Sequence, residues 1–112
     1  MLSWSSNETG QQVDLTAVVD GVGDAGLEHG RALLRFASAC GGFDDVELAA
    51  ARAALVAETD EAFMVDAAAV AANFEMMTRL ADGTGARLPE QRLADAAGQI
   101  DLMGTADLVS RR

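Results

Sequence analysis

The chain has 112 residues, half of them apolar, and a formal net charge of −10 at pH 7. This length allows one domain with a single modest core. The negative charge argues against binding to the nucleic-acid backbone and against docking on anionic membranes, because both depend on basic surfaces. We therefore expect no nucleic-acid partner and no membrane partner.

We expect no signal peptide in the amino-terminal segment. The first ten residues, MLSWSSNETG, lack the basic and apolar regions of a signal peptide. No apolar run in the sequence approaches the roughly 20 residues that a membrane span needs. We therefore expect a cytoplasmic protein, and we expect the polar residues 1–12 to form a flexible arm.

The first two predicted elements follow this arm. Residues 13–26 contain an apolar cluster broken by three glycines, which predicts a short helix or a turn. From Leu27 the pattern becomes helical, and Gly41 and Gly42 predict where this helix ends.

A second full helix is predicted to begin at Asp44 and to end near Ala57. Asp44 is a favourable N-cap, with Glu47 as its capping-box partner. The helix has two apolar sides, one formed by Val46, Ala50, Ala53 and Ala57 and the other by Leu48 and Leu55. The short connection to the next helix predicts antiparallel neighbours that pack closely through their alanines.

The clearest element of the sequence is a long helix that follows Thr59. Thr59 is the predicted cap, and Gly83 is the predicted left-handed stop. One apolar stripe recurs at steps of three and four, consisting of Phe63, Ala67, Val70, Phe74, Met77 and Ala81. We expect this stripe to face the core, with Phe74 at its centre.

Pro89 is predicted to open a fourth helix that ends near Ala97, and residues 98–112 are predicted to form an irregular tail. The sequence shows no strand-like alternation. It therefore predicts an all-α fold, a compact bundle of about four helices, with residues 1–112 as a single domain.

Cys40 and His29 are the first candidates for catalysis, since the chain contains one thiol and one imidazole. They are eleven residues apart, about 16 Å along a helix, which is too far for a thiol and its base within one chain. We expect Cys40 to be a small buried apolar residue and His29 to lie at a helix start or an interface.

Asp66 and Asn73 are candidates for ligand binding, because both lie at the edge of the apolar stripe of the long helix. Polar groups at that depth need partners, so an interhelical hydrogen bond is favoured over a ligand site. The acidic residues lie mostly at helix starts, where capping explains them. We therefore expect no metal site and no cofactor.

Residues 33–88, especially FASACGG and DAAAVAANFEMMTRLADGTGARL, resemble the rear half of alkylhydroperoxidase D-like proteins, the superfamily that includes carboxymuconolactone decarboxylases. The resemblance implies an all-helical oligomer. In that family the peroxidase branch uses a CxxC pair located upstream of the matching part, and this chain has no cysteine upstream of Leu27. No catalytic residue is therefore transferred from the family.

These observations predict a non-catalytic binding or structural protein that lacks the dithiol peroxidase site, with an unknown small-molecule ligand. Alanine-rich helices bury little area each, so we expect a homo-oligomer of two or more chains. The alternative is an enzyme of decarboxylase or isomerase type, with His29 as acid or base in an intersubunit pocket.

Overall fold

The computed structural model describes residue 10 and residues 12–87 and 89–105. Within these ranges the secondary structure is entirely helical, which confirms the all-α class. The helices are α1 (Leu15–Asp20), α2 (Gly30–Cys40), α3 (Asp45–Glu58), α4 (Glu61–Thr84), α5 (Glu90–Asp95) and α6 (Ala97–Leu102). Among the described residues, no helix is both long and apolar enough to cross a membrane.

The contacts divide the chain into two compact units, which we call unit 1 (Met1–Ala71) and unit 2 (Ala72–Arg112). Unit 1 holds all the buried residues that the structure describes. The single-domain organisation stays a prediction. Most of the predicted arm, residues 1–12, lies outside the described residues.

The short helix predicted within residues 13–26 is confirmed as α1. Asp14 caps it by accepting a hydrogen bond from the backbone N–H of Thr16 at 2.9 Å. Gly21 ends it with a left-handed backbone, φ 65°. The preceding segment is tied to the loop after α1, since the Asp14 N–H donates to the Ala25 carbonyl.

Helix α2 begins at Gly30, three residues later than the sequence predicted. Tight turns occupy the preceding residues, with the Leu27 N–H bonded to the Asp24 carbonyl and the Gly30 N–H to the Leu27 carbonyl. Gly30 lies directly against this loop, because a Cβ atom at this position would be 1.7 Å from the Asp24 carbonyl oxygen. The predicted end of α2 at Gly41 is confirmed.

The core lies between α2 and α3, which make the most extensive helix contact in the part of the chain that is described. Its buried cluster consists of Ala32, Phe36, Ala39, Ala51 and Leu55. Asp44 caps α3 as predicted, accepting from the N–H groups of Val46 and Glu47 at 3.0 Å. Small residues on both helices allow the two backbones to approach closely.

Of the two apolar sides predicted for α3, the structure buries the side of Leu48, Ala51 and Leu55. Val46, on the other side, is exposed. The predicted alanine contact was also assigned to the wrong pair, because α3 packs most closely against α2 and not against the helix that follows it.

Both ends of α4 differ from the predicted ends. The side chain of Asp60, not Thr59, accepts from the Phe63 N–H at 2.8 Å. The Thr59 hydroxyl instead donates to the Leu55 carbonyl at the end of α3. Gly83 is helical, and Gly85, with φ 67°, is the left-handed residue that follows the helix.

Of the predicted core-facing stripe of α4, Ala67 packs against the core, together with Met64 and Ala68 of the neighbouring face. The rest of the stripe was wrong in orientation. Phe63, Val70, Phe74 and Met77 are exposed, and no residue of α4 is fully buried. At 100° per residue, the centre of the packed face and the centre of the predicted stripe are about 90° apart around the helix axis.

The tail is more regular than predicted. Pro89 is the N-cap of α5 and not its first residue, and α5 ends at Asp95. Residues 97–102, expected to be irregular, form α6. Gly104, with φ 61°, follows its end.

Candidate functional site

His29 lies immediately before α2, in a left-handed backbone conformation with φ 57°. Its ring packs edge-on against Phe63 of α4, with 5.9 Å between ring centroids. Nδ1 is 3.6 Å from a carboxylate oxygen of Glu58, and Nε2 is 3.7 Å from one of Glu28. His29 therefore joins the start of α2, the end of α3 and the first turn of α4.

This arrangement holds the imidazole without enclosing it. Both carboxylate contacts are longer than hydrogen bonds, so they act as charge contacts when the ring is protonated. The side chain of His29 is 31% exposed. The expectation that His29 lies at a helix start is thus confirmed.

Cys40 is the last residue of α2, and its exposure corrects the prediction that it is buried. Ala39, one position earlier, is buried instead. His29 and Cys40 lie at opposite ends of α2, so this chain does not bring the thiol and the imidazole together. The pair forms no nucleophile and base within one protomer.

Asp66 and Asn73 are both exposed on α4, which corrects the prediction that they lie at the depth of a buried stripe. The prediction failed for the same reason as the stripe, since the packed face of α4 is the one that holds Met64 and Ala68. The structure does not gather Asp66 or Asn73 with His29 or Cys40 into one site.

The sequence did not predict a groove of about 720 Å³ in unit 1. Its walls come from α1 and the glycines after it, from one face of α2, and from the start of α3. The lining residues include Val18, Gly21, Gly23, Arg31, Leu34, Arg35, Ser38, Asp44 and Glu47. Arg31, Leu34, Arg35 and Ser38 recur at helical spacing, the one signal of this groove in the sequence.

An ion pair fixes one side of the groove. The Arg35 guanidinium donates two hydrogen bonds to the Glu47 carboxylate, at 2.7 and 3.1 Å. These bonds lower the pKa of Glu47 below its ordinary value and raise that of Arg35. Glu47 therefore bonds Arg35 and does not act as the predicted capping-box partner of Asp44.

Metal-ligating side chains do not cluster in the described residues. No group of three or more His, Cys, Asp or Glu side chains there has an arrangement that holds a metal ion.

The molecule is thus an all-helical protein with a packed α2–α3 core, an open groove beside α2 and one partly exposed imidazole. No protein-family model, no curated protein and no solved structure matches the chain. The resemblance to alkylhydroperoxidase D-like proteins stays a prediction.

Proposed function

We propose that this chain is a non-catalytic helical protein that self-associates through α4, on a scaffold similar to alkylhydroperoxidase D-like proteins but without their dithiol site. The observation that carries the proposal is the apolar face that α4 exposes in unit 2. This face, here called the α4 apolar face, consists of Phe74, Met76, Met77, Leu80 and Ala81.

The α4 apolar face is one side of an amphipathic helix. At 100° per residue its members cover an arc of about 160°, the width of a typical buried helix face. The charged residues Glu75, Arg79 and Asp82 lie on the other side, where Arg79 and Glu75 form an ion pair of 2.8 Å. Large apolar side chains in one exposed patch are typical of an interaction surface.

A second copy of the chain is the partner that this face fits. A two-fold interface brings the same patch of both chains together, so the patch must be complementary to itself. Two chains of charge −10 repel each other, and contact through an uncharged face keeps the acidic residues apart. Asn73 lies within the arc of this face, where two amides related by the two-fold axis can bond each other and fix the register.

Sedimentation equilibrium at micromolar concentration tests this proposal. We expect the wild type to be a dimer or a larger oligomer, and Met77→Glu to be monomeric because it places a charge in the interface. The matched control is Ala72→Glu, which adds the same charge outside the arc of this face, beside Arg79, and it should keep the wild-type mass. A monomeric wild type, or equal masses for the two variants, would refute the proposal.

The contact between His29 and Glu58 favours a second candidate, an enzyme that uses His29 as acid or base in an intersubunit pocket. In catalytic triads a neighbouring carboxylate orients the imidazole for proton transfer. This candidate requires that assembly enclose His29. Carbethoxylation of His29 should then be slow in the wild type and fast in monomeric Met77→Glu, and equal rates in both would exclude it.

A further inference from the structure

We propose that the groove beside α2 binds a small molecule with an apolar body and one carboxylate group. All the residues that line the groove belong to unit 1, so the proposal does not depend on self-association through the α4 apolar face. A volume of about 720 Å³ is within the range of small-molecule sites.

Arg31 supplies the charge for this ligand. Its neighbour one turn along α2, Arg35, is neutralised by Glu47 at 2.7 Å. No carboxylate of the described residues lies within ion-pair distance of Arg31. A guanidinium at the edge of a groove, in a chain where acids outnumber bases 18 to 8, is the group that would recognise a carboxylate.

The acidic residues of the groove are already engaged, so they do not compete for Arg31. The Asp44 carboxylate accepts two backbone N–H bonds at the start of α3. Glu47 is held by Arg35. Arg31 is therefore the one cationic side chain lining the groove that no carboxylate of the described residues pairs, while the Asp44 carboxylate is held by backbone N–H groups at the start of α3.

Apolar side chains supply the body of the site. Val18 of α1 and Leu34 of α2 are half-buried and line the groove, as does the buried Ala39. Ser38 lies seven residues after Arg31, about 10 Å farther along α2. This distance suits a chain of medium length, with its carboxylate at Arg31 and its tail along Leu34 toward Ser38.

Titration with octanoate, followed by NMR of the methyl groups, tests the site in the full chain. We expect the resonances of Val18 and Leu34 to shift in a saturable way. Octanol, which lacks the charge, should bind at least tenfold more weakly, because a charge-assisted hydrogen bond to the carboxylate is lost.

Two variants separate a specific site from general attraction to arginine. Arg31→Gln should weaken octanoate binding about tenfold or more, whereas Arg52→Gln, an exposed arginine of α3 outside the groove, should leave it unchanged. Equal affinity for octanol and octanoate, equal effects of the two variants, or shifts confined to the methyl groups of Met77 and Leu80 would each overturn the proposal. The wild-type shifts alone decide the matter if a variant does not fold.

Discussion

The two units of this molecule use similar helices in different ways. In unit 1, Phe36 and Leu55 are almost completely removed from solvent by α2, α3 and the Met64–Ala68 side of α4. In unit 2, none of the described residues is buried, and Phe74 is 44% exposed. An apolar helix face gains burial free energy only where a second element covers it, as in unit 1.

The comparison also separates two stripes of the same helix. Met64 and Ala68 contact the core of unit 1, whereas Phe74 and Met77, which the sequence placed in the core, are uncovered. The larger side chains are thus on the uncovered side. This distribution is the physical reason to expect a partner at α4, since leaving large apolar groups in water forgoes ~25 cal/mol for each Å².

The largest contrast is expected between two phenylalanines. Phe36→Ala removes a ring from the packed core and should lower the free energy of unfolding by ~3 to 5 kcal/mol. Phe74→Ala, made in the monomeric Met77→Glu background, should lower it by less than about 1 kcal/mol, because the ring is not packed within the chain. Urea unfolding of both variants measures the difference, and similar losses would mean that Phe74 is part of a core.

A pair of glycines provides the next contrast. Gly30→Ala should destabilise unit 1 by ~1 to 3 kcal/mol, since the new Cβ would overlap the Asp24 carbonyl. Gly83→Ala in α4 should stabilise the helix by about 0.5 to 1 kcal/mol, because no atom lies within 4 Å of the new Cβ. Thermal melts at matched protein concentration should show a lower melting temperature for Gly30→Ala and a higher one for Gly83→Ala. A lower melting temperature for Gly83→Ala would mean that another part of the protein covers this position.

The cap of α3 should have a smaller effect. Asp44→Ala removes the acceptor of two backbone N–H bonds, which should cost ~1 kcal/mol of stability. The matched control is Asp45→Ala, because Asp45 is an exposed acid in the first turn that makes no cap bond. This change should lower the free energy of unfolding by less than about 0.5 kcal/mol. Equal losses in urea unfolding would contradict the assigned cap.

The smallest expected effect is a pH dependence from Glu47. The hydrogen bonds from Arg35 hold its pKa below the ordinary value of 4.5. Its contribution to stability is therefore complete above about pH 4.5 and is lost as the pH falls through the folded pKa. Unfolding free energies measured between neutral pH and pH 3 should fall less steeply in Glu47→Gln than in a Glu61→Gln control.

Local signals in the sequence predicted the helices well. The N-cap at Asp44 and the end of α2 at Gly41 follow from one or two residues each, and both are confirmed. The end of α4 was misplaced by two residues, because Gly83 and Gly85 offer the same stop signal and the structure uses the second.

Features that depend on how separate helices pack could not be predicted from the sequence. Periodicity identifies which residues share a face of α4, but the covering element decides which face is buried, and α4 offers the core two apolar faces. The groove was missed because α1, α2 and the start of α3 each supply a wall from separate parts of the chain. The exposure of Cys40 likewise depends on how α2 is rotated against α3, which places Ala39 inside.

Hydrogen exchange of the α4 amides at several protein concentrations is the most direct test of the central claim, that the α4 apolar face is covered by a second copy. We expect protection of residues 74–84 to rise with concentration in the wild type and to stay low in Met77→Glu, while the amides around Ala51 and Leu55 keep constant protection. Protection of residues 74–84 that is independent of concentration and equal in the two proteins would contradict the claim.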